Sequence, residues 1–464
     1  MMTNTTSDLQ ALRARVGAEL EARLPAHLER LQWPADRLAS HQRDRLRALL
    51  RHAIERSPFH ARRLGPIVDP DHFELPDLVN LPTMSKSDMM AAFDEVVTER
   101  RLSLASIGRH IAESSTQPQL LLDEYVCLAS GGSSGLRGIF VQRLGEFADL
   151  VASITRPAMA RRGAAGSSGE GIVIGGVLAA SPVHASGFGT ATASGPVRFV
   201  SVPATLPIAE AVDRLNGLQP LALMGYPTKL TQLAREQMLG RLTIAPRSVT
   251  STSEQLTAAD RATITTAFGV PVIDMFASTE GLVGHSDPGG SVLTFATDMC
   301  IVELVDAENR PLPDGTASTR VLVTNLYNLT QPLIRYELTD RFVRYPTLPG
   351  SGHLRAEVDG RADDVFRYDG VEVHPLVIAT AMVKTPRVLE YQVRQTARGV
   401  DVAVVTEAPI EMIRLAEAIE DGLRRVGLAS PLAIVREVAS IPRHPQTGKT
   451  RRFIPLEGIK ALRR

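Results

Sequence analysis

From Tyr125 to about Ser286 the chain alternates short Val- and Ile-rich runs with segments of helical pattern, and this alternation limits the fold more than any other feature. Strands that alternate with helices predict a largely parallel sheet, covered by helices on both faces, with ligand-binding loops at the strand ends. The clearest predicted elements of this stretch are strands at 221–224, 247–250 and 271–276 and helices that begin at Pro227 and near Ala258.

The segments on either side predict further units. Before about Ala91 the chain has the pattern of polar, Arg-rich amphipathic helices, with Leu46, Leu49, Leu50 and Ala53 on one face. Two runs, 299–305 and 319–325, predict an antiparallel β subdomain. After Gly360 a new α+β unit is predicted, with strands at 389–394, 400–405 and 432–438 and a helix at 410–425.

The fold class is therefore α/β, with a large N-terminal domain and a small C-terminal α+β domain. Its N-terminal part combines helix-covered, mostly parallel sheets with the β subdomain. A chain of 464 residues with 44% hydrophobic residues is long enough to bury more than one core. The domains are predicted at 1–359 and 360–464.

A glycine-rich segment lies between two predicted strands, 125–129 and 139–142. It reads Ser130-Gly131-Gly132-Ser133-Ser134-Gly135-Leu136-Arg137-Gly138. Glycines let the backbone curl with its N–H groups pointing inward, and the hydroxyls and the arginine add donors for phosphoryl oxygens. The segment is a candidate phosphate-binding loop.

This segment also admits other interpretations. The same composition occurs in plain flexible turns. The spacing Gly131-x-Ser133-x-Gly135 also matches a hydrolase nucleophile elbow, but an elbow requires a helix directly after the loop, and a β-branched, aromatic run follows here. A Walker A loop is excluded, because the Gly-Lys-Thr at 448–450 has Arg443 where the first glycine is required.

Four later motifs accompany the loop in a fixed order. They are Asp274-Met-Phe276-Ala277-Ser278-Thr279-Glu280-Gly281, Pro332-Leu-Ile-Arg335-Tyr336-Glu-Leu-Thr-Asp340, Gly360-Arg361-Ala-Asp363-Asp364, and Thr447-Gly448-Lys449. In order and spacing this set resembles the adenylate-forming superfamily of acyl-CoA synthetases, luciferases and peptide-synthetase adenylation domains. Within it the chain is most similar to the phenylacetate-CoA ligase branch, whose N-terminal opening resembles the segment from Ala53 to Asp88.

The resemblance implies roles for the nucleotide-binding residues. The loop from Ser130 to Arg137 would hold the β- and γ-phosphates, Thr279 would contact the α-phosphate, and Glu280 would hold Mg²⁺. The adenine would meet Phe276 with its neighbours Ala277 and Ser278, and also Ser253 and Glu254. The ribose would be bound by Asp340, whose carboxylate offers two acceptors, with help from Arg361.

The resemblance also implies a catalytic lysine and a mobile domain. Lys449 would bridge the substrate carboxylate and the α-phosphate, and the C-terminal domain would rotate about Asp363 between two half-reactions. The pocket for the acyl group would include His184, Phe188, Gly225 and Tyr226.

Each of these residues has a plainer interpretation. Phe276 is also compatible with a core position, Glu280 and Asp340 with helix caps, and Lys449 with a solvated cation. For His184, a turn or core histidine fits equally well. The chain also departs from the family pattern. Where the family has Tyr-Arg-Thr-Gly-Asp, this sequence reads Tyr336-Glu-Leu-Thr-Asp340, and Gly131 and Gly138 replace a common serine and a common proline.

The composition limits the kinds of molecule that the protein is expected to bind. Lys+Arg and Asp+Glu both number 51, so no strongly basic field attracts nucleic acid or a membrane. Cys127 and Cys300 are far apart, which argues against a disulfide framework or a thiolate metal site and favours the cytoplasm. Neither a signal peptide nor a membrane-spanning run is predicted.

The function predicted from these observations is that of an AMP-forming ligase. ATP and a carboxylic acid, by resemblance an aromatic one, give an acyl adenylate, and the thiol of coenzyme A accepts the acyl group. Alternative acceptors are a carrier-protein thiol or an amine. A serine hydrolase acylated at Ser133 and a catalytically weak binding subunit are the competing classes. The sequence leaves the acid, the acceptor and the oligomeric state, monomer or homodimer, open.

Overall fold

The computed structural model forms two compact units, Met1–Asp359 and Gly360–Arg464. The residues it describes are 4–113, 117–130, 138–164, 172–179, 181–193, 197–361, 364–373, 375–383, 385, 387–444 and 448–456. Among these residues, no helix has both the length and the apolar character that crossing a membrane requires.

The first unit begins with helices. Their bounds are α1 Asn4–Arg30, α2 Ala35–Arg56, α3 Pro58–Leu64, a 3₁₀ helix Leu75–Asn80, α4 Lys86–Ala91, α5 Phe93–Val96 and α6 Leu104–Glu113. As predicted, α2 buries one face, and Leu46, Leu49, Leu50 and Ala53 on it are fully buried. A serine separates α2 from α3: Ser57 accepts a hydrogen bond from the His60 N–H and caps α3.

A β hairpin and a long helix follow. Strand β1, Tyr125–Ala129, pairs antiparallel with β2, Ile139–Arg143, and α7 spans Leu144–Ala164. Both strands are almost wholly buried, as their continuous apolar runs predict. The segment 131–137 between them lies outside the described residues.

A nine-stranded sheet forms the centre of the first unit. The elements from β3 to β14 are β3 Ile172–Leu178, α8 Ala185–Thr192, β4 Val197–Pro203, α9 Ile208–Leu218, β5 Ala222–Gly225, α10 Pro227–Met238, β6 Ser248–Thr252, α11 Ala258–Phe268, β7 Val272–Ala277, β8 Val283–Ser286, β9 Leu293–Phe295, β10 Cys300–Val305, β11 Arg320–Asn325, β12 Tyr336–Leu338, β13 Asp340–Tyr345 and β14 Arg355–Arg361. The strand order is β13-β14-β9-β8-β7-β6-β5-β3-β4.

The parallel part of this sheet runs from β4 to β7 and matches the predicted alternation of strands and helices. The pairs β7–β8, β8–β9 and β9–β14 are antiparallel. A short turn joins β7 to β8, and such a turn permits only an antiparallel return. Leu215, Leu230, Leu233, Val249 and Ile264 build the core between the parallel strands and the helices.

Strands β10, β11 and β12 form a separate antiparallel sheet. The predicted β subdomain is therefore present, with β12 as a third strand. Beside it, Phe295 stacks on Phe342 at 5.0 Å between ring centroids, and both rings belong to the main core of this unit.

The second unit is α+β, as predicted. Its elements are β15 Phe366–Tyr368, β16 Val371–Val373, α12 Pro375–Val383, β17 Val388–Thr396, β18 Gly399–Thr406, α13 Met412–Arg425, β19 Leu432–Glu437 and β20 Phe453–Ile454. Four strands form a sheet in the order β19-β18-β17-β20. Val393, Val402, Ile419, Leu423 and Phe453 lie in its core.

Candidate active site

The chain adds strands to both sides of β3 in the parallel sheet. Strand β4 lies on one side of β3 and β5 on the other, so the strand order reverses there. Ligands of open α/β sheets bind in the crevice outside the carboxyl ends of the strands at such a point. Ala179 follows β3 and Tyr226 follows β5, and the Ala179 N–H donates to the Tyr226 hydroxyl at 3.0 Å. The candidate site is therefore built from the loops at this edge.

The base of the glycine-rich hairpin lies beside His184. The Ala129 N–H donates to the Val183 carbonyl at 2.7 Å. His184 Nδ1 lies 3.1 Å from the Ala129 carbonyl oxygen, and because that oxygen can only accept, Nδ1 carries a proton. The imidazole is 7% exposed. The hairpin and the loop after β3 are thus joined at the point where the glycine-rich segment begins.

Ser130 closes this hairpin. Its N–H donates to the Gly138 carbonyl at 2.9 Å, and its Oγ accepts from the Gly138 N–H at 2.8 Å. Strands β1 and β2 flank the segment and pair antiparallel, so a strand and not a helix follows it. A nucleophile elbow is strand–turn–helix, so the hydrolase interpretation of this segment is wrong. The other predicted loop residues, Gly131, Gly132, Ser133, Ser134, Gly135 and Arg137, lie outside the described residues.

The ends of β5 and β6 are linked through the first turn of α10. Glu254 accepts from Thr228 Oγ1 at 2.7 Å and from the Thr228 N–H at 3.3 Å, so its negative charge lies at a helix N-terminus. Ser253, just before it, has the left-handed φ of 68°. Burial raises the pKa of Tyr226 to about 12, and the charge of Glu254 adds to the shift. The predicted residues Gly225, Tyr226, Ser253 and Glu254 thus share one corner of the sheet edge.

A tight turn after β7 presents Thr279 and Glu280. The Ser278 N–H donates to the Leu282 carbonyl at 3.0 Å, and Ser278 Oγ accepts from the Leu282 N–H at 3.2 Å. Glu280 is 9% exposed. Burial raises the pKa of Tyr336, and the negative charge of Glu280 contributes further. Because this turn joins two strands, Glu280 is not a helix cap.

Asp340 is the first residue of β13 and likewise does not cap a helix. Just before β12, Arg335 is 1% exposed and has the left-handed φ of 51°. Its guanidinium donates to the Glu303 carboxylate at 3.0 and 2.9 Å and to the carbonyls of Val79 and Leu81. No local sequence pattern indicates this role, because the partners of Arg335 lie far away along the chain. Arg335 fixes the strand that leads to Asp340.

Phe276 lies between the core and the surface of the first unit. Its ring is half-buried and meets Phe295 and Phe342 edge to face, at 5.8 and 5.3 Å between centroids. Phe188, by contrast, is 2% exposed and packs against Phe147 at 5.0 Å in the core. Core packing alone accounts for the burial of Phe188, so its place in a pocket stays a prediction.

The remaining predicted residues belong to the second half of the chain. Arg361 ends β14, and Asp363 lies outside the described residues. Lys449 belongs to the second unit, where its carbonyl accepts from the His444 N–H at 2.9 Å and the Gly448 N–H donates to the His444 carbonyl at 2.8 Å. Gly448 has the positive φ of 72° that this turn needs.

Comparison with known proteins gives relatives over most of the chain. No protein-family profile matches it. It is 25% identical over 383 residues to phenylacetate-coenzyme A ligase of Thermus thermophilus, covering 78% of each chain, and 24% identical over 418 residues to phenylacetate-coenzyme A ligase of Pseudomonas putida, covering 84% and 85%. The fold matches a 2-hydroxyisobutyryl-CoA ligase in the post-adenylation state in complex with R3-HIB-AMP, with a TM-score of 0.70 at 18% identity over 92% of this chain and 91% of the other.

Proposed function

Since the chain belongs to the adenylate-forming superfamily, we propose that it is an AMP-forming acid–thiol ligase. One observation carries the proposal. The loops after β3, β5, β6 and β7 bring their predicted ligand-binding residues to one edge of one sheet, at the point where strand order reverses. The names of the relatives, phenylacetate-coenzyme A ligases, favour an aromatic or arylacetic acid and coenzyme A as the acceptor.

The first half-reaction joins two anions. A carboxylate oxygen of the acid attacks the α-phosphorus of ATP, the bond to the bridging oxygen of the β-phosphate breaks, and pyrophosphate leaves with the electron pair. Positioned donors and positive charge must offset the repulsion between the anions. The loop from Ser130 to Arg137 holds the β- and γ-phosphates, the Thr279 hydroxyl donates to the α-phosphate, and Lys449 neutralises the carboxylate and the α-phosphate between which the new bond forms.

The remaining nucleotide contacts fix its orientation. Phe276 offers its exposed face to the adenine, with Ala277, Ser278, Ser253 and Glu254 along the ring edge. Asp340 accepts from the two ribose hydroxyls, and Arg361 assists there. Each of these roles follows the superfamily resemblance. For the adenine contacts, the proximity of the neighbouring strands β6 and β7 supports the assignment.

Glu280 suits a magnesium ion bound together with the nucleotide. Mg²⁺ is usually held by one or two carboxylates plus substrate phosphates and water, and Glu280 supplies one carboxylate beside the predicted α-phosphate contact Thr279. When bound, the ion would neutralise phosphate charge. Glu280 holds its carboxylate at this place through the hydrogen-bonded turn between β7 and β8.

The acid lies in the crevice between the ends of β3 and β5. We expect His184, Gly225, Tyr226 and Phe188 to contribute to its wall, because they lie at the end of β5 or in the chain segment that follows β3. A largely apolar wall with few polar groups is typical of a site for a small organic acid. We propose an aromatic ring as the group that fills it.

The second half-reaction transfers the acyl group. The thiolate sulfur of coenzyme A attacks the acyl carbon, the bond from that carbon to the AMP oxygen breaks, and AMP leaves. The small domain rotates about Asp363, so that Lys449 withdraws and the acceptor enters. A carrier-protein thiol or an amine is the alternative acceptor.

The compartment proposed for this reaction is the cytoplasm. Cys127 and Cys300 are both buried free thiols. Burial raises the pKa of Cys127 to about 12, which keeps that thiol protonated. Unpaired cysteines are typical of a reducing compartment, where coenzyme A is also in its thiol form.

Pyrophosphate exchange tests the proposal directly. We expect label from pyrophosphate to enter ATP only when a suitable acid is present, in a panel of arylacetic, benzoic and short hydroxy acids. Adding coenzyme A, a carrier protein or an amine to the active combination then identifies the acceptor by the product formed. Absence of exchange with every acid, in a protein that binds ATP, would favour the binding-subunit alternative.

A substitution at Asp340 tests the ribose contact. Asp340→Ala removes two acceptors, and a hydrogen bond to a charged group contributes roughly 1.5–3 kcal/mol. We expect the affinity for AMP to fall at least tenfold, measured by calorimetry. The control is Asp314→Ala, an exposed carboxylate of the same unit, which should leave AMP binding unchanged. Equal AMP affinity in the Asp340 variant and the parent protein would place the ribose elsewhere.

A further inference from the structure

We propose that the segment 325–331, here called the amide loop, positions two parts of the active site relative to each other. The parts are strand β2, which leaves the glycine-rich segment, and the turn 278–281, which carries Glu280. Asn325, Asn328 and Gln331 act through these parts and are positioning residues. The proposal rests on the function proposed above, because it concerns the ATP-dependent half-reaction.

The first end of the amide loop holds the Glu280 turn. Asn325 Nδ2 donates to the Glu280 carbonyl at 2.9 Å, while its Oδ1 accepts from the N–H groups of Tyr327 at 3.0 Å and Asn328 at 2.9 Å. Gly281 has φ 104°, and a Cβ there would collide with the Asn325 amide and the Tyr327 hydroxyl. The close approach fixes the turn against the amide loop.

The other end holds β2. On the edge of β2 that does not pair with β1, the Val141 N–H donates to Gln331 Oε1 at 2.8 Å and Gln331 Nε2 donates to the Ile139 carbonyl at 3.1 Å. Asn328 Nδ2 donates to the Val141 carbonyl at 3.1 Å. Two side-chain amides therefore take the place of a third strand. They bond to the buried N–H and C=O groups of β2 that point away from β1 and are not used in pairing with it.

A buried carboxylate holds the middle of the amide loop. Glu146, in the first turn of α7, accepts from the N–H groups of Leu329 at 2.8 Å and Thr330 at 3.1 Å, from the Thr330 hydroxyl at 2.7 Å and from the Arg143 N–H at 2.7 Å. Burial raises the pKa of Glu146, whereas these four donors lower it. Arg143 ends β2, so the same carboxylate joins both sides of the contact.

These hydrogen bonds fix the position of β2 as well as stabilising the fold. A two-stranded hairpin is marginally stable on its own, so the place of β2 depends on what covers its second edge. Asn325, Asn328 and Gln331 are 2%, 6% and 0% exposed and meet no solvent that could replace them. The amides therefore set the distance between β2 and the Glu280 turn, and a misplacement of about 1 Å in an active site can cost on the order of a hundredfold in rate.

Gln331→Met tests the proposal, because methionine has a similar length and no amide. We expect the KM and the Kd for ATP to rise at least about tenfold, since two backbone groups of β2 lose their partners. AMP lacks the β- and γ-phosphates, so its affinity should stay unchanged. Conversion of chemically supplied acyl adenylate and coenzyme A to thioester should also proceed at the parental rate.

Gln237→Met is the matched control. Gln237 likewise bridges a backbone N–H and carbonyl, those of Ile244, at 3.3 and 3.0 Å, but it lies at the end of α10 away from the strand ends of the site. It should leave ATP binding and both half-reactions unchanged. A Gln331 variant that reduces ATP and AMP binding in equal proportion would show a purely structural role and overturn the proposal.

Gln331→Glu covers the case in which the methionine variant does not fold. Glutamate keeps the acceptor for the Val141 N–H and loses the donor to the Ile139 carbonyl and to Met89 Sδ. A smaller loss of ATP affinity, again without loss of AMP affinity, is expected. Failure of both variants to fold, judged by the fluorescence of Trp33, would also refute a positioning role. The nucleotide affinities decide this question even if the parent protein exchanges no pyrophosphate, so the two proposals fail separately.

Discussion

Replacing Arg156 with methionine should lower the free energy of unfolding of the first unit by about 3–5 kcal/mol. Arg156 on α7 donates to the two Asp298 carboxylate oxygens at 2.7 and 2.6 Å, and both side chains are at most 1% exposed. The substitution leaves a carboxylate buried without its main partner, since Arg30 is 3.6 Å away. Trp33 is the only tryptophan and belongs to the same unit, so its fluorescence during urea denaturation follows the relevant transition.

Two controls separate the buried charge from the loss of packing. Arg156→Met combined with Asp298→Leu removes both charges and should recover most of the stability, because an apolar pair of similar volume often replaces a buried ion pair without loss. Arg241→Met removes one partner of an exposed pair with Glu236 and should change little. A single Arg156 variant as stable as the parent would show that water or another cation compensates Asp298.

The stability from this pair also depends on pH. Burial raises the pKa of Asp298, but the hydrogen bonds and charge of Arg156 outweigh this and hold the pKa at about 2. A carboxylate with a lowered pKa stabilises the folded state above its ordinary value, near 3.9, and loses that contribution as the pH falls through the folded value. The difference in the free energy of unfolding between the parent and the Arg156 variant should therefore be largest near neutrality and decrease as the pH falls toward 2, because protonation of Asp298 removes the buried charge in both proteins.

The elements that local patterns fix were predictable from the sequence. The helices predicted to begin at Pro227 and near Ala258 are α10 and α11, and the three strands around them are β5, β6 and β7. The strands and helix predicted after Gly360 also occur, with ends displaced by one or two residues. The antiparallel part of the sheet was not predicted. Strand β8 has only four residues and β9 only three, too few to show a period.

For the candidate site, the sequence motifs revealed individual residues but not the contacts that hold those residues in place. Glu280, Asp340 and Tyr226 were found because each stands in a recognisable segment at a strand end. The amide loop was not found, because its partners lie far away in the chain, 192 positions for Gln331 and Ile139. Hydrogen bonds between side chains and distant backbone groups leave no periodic signal, and asparagine or glutamine in a loop is also the ordinary composition of an exposed turn.

Replacing Lys449 with alanine should reduce acyl-adenylate formation by on the order of 10²–10³-fold, because a positioned donor at a developing charge contributes about that much. Conversion of supplied acyl adenylate and coenzyme A to thioester should stay near the parental rate, since the new bond between carboxylate and phosphorus already exists. Pyrophosphate exchange measures the first step, and a thiol-dependent release of AMP measures the second.

Two further variants make this result specific to the amine of Lys449. Lys449→Arg keeps the charge but replaces a compact ammonium with a planar fork, so adenylation should recover only in part. Arg451→Ala removes a neighbouring cation of the same segment and should have little effect on either half-reaction. If Lys449→Ala and Arg451→Ala were equally active, Lys449 would be a solvated cation of a basic tail. If Lys449→Ala instead lost both half-reactions to the same extent, the two-conformation mechanism about Asp363 would be wrong, because the lysine must then remain in place during transfer.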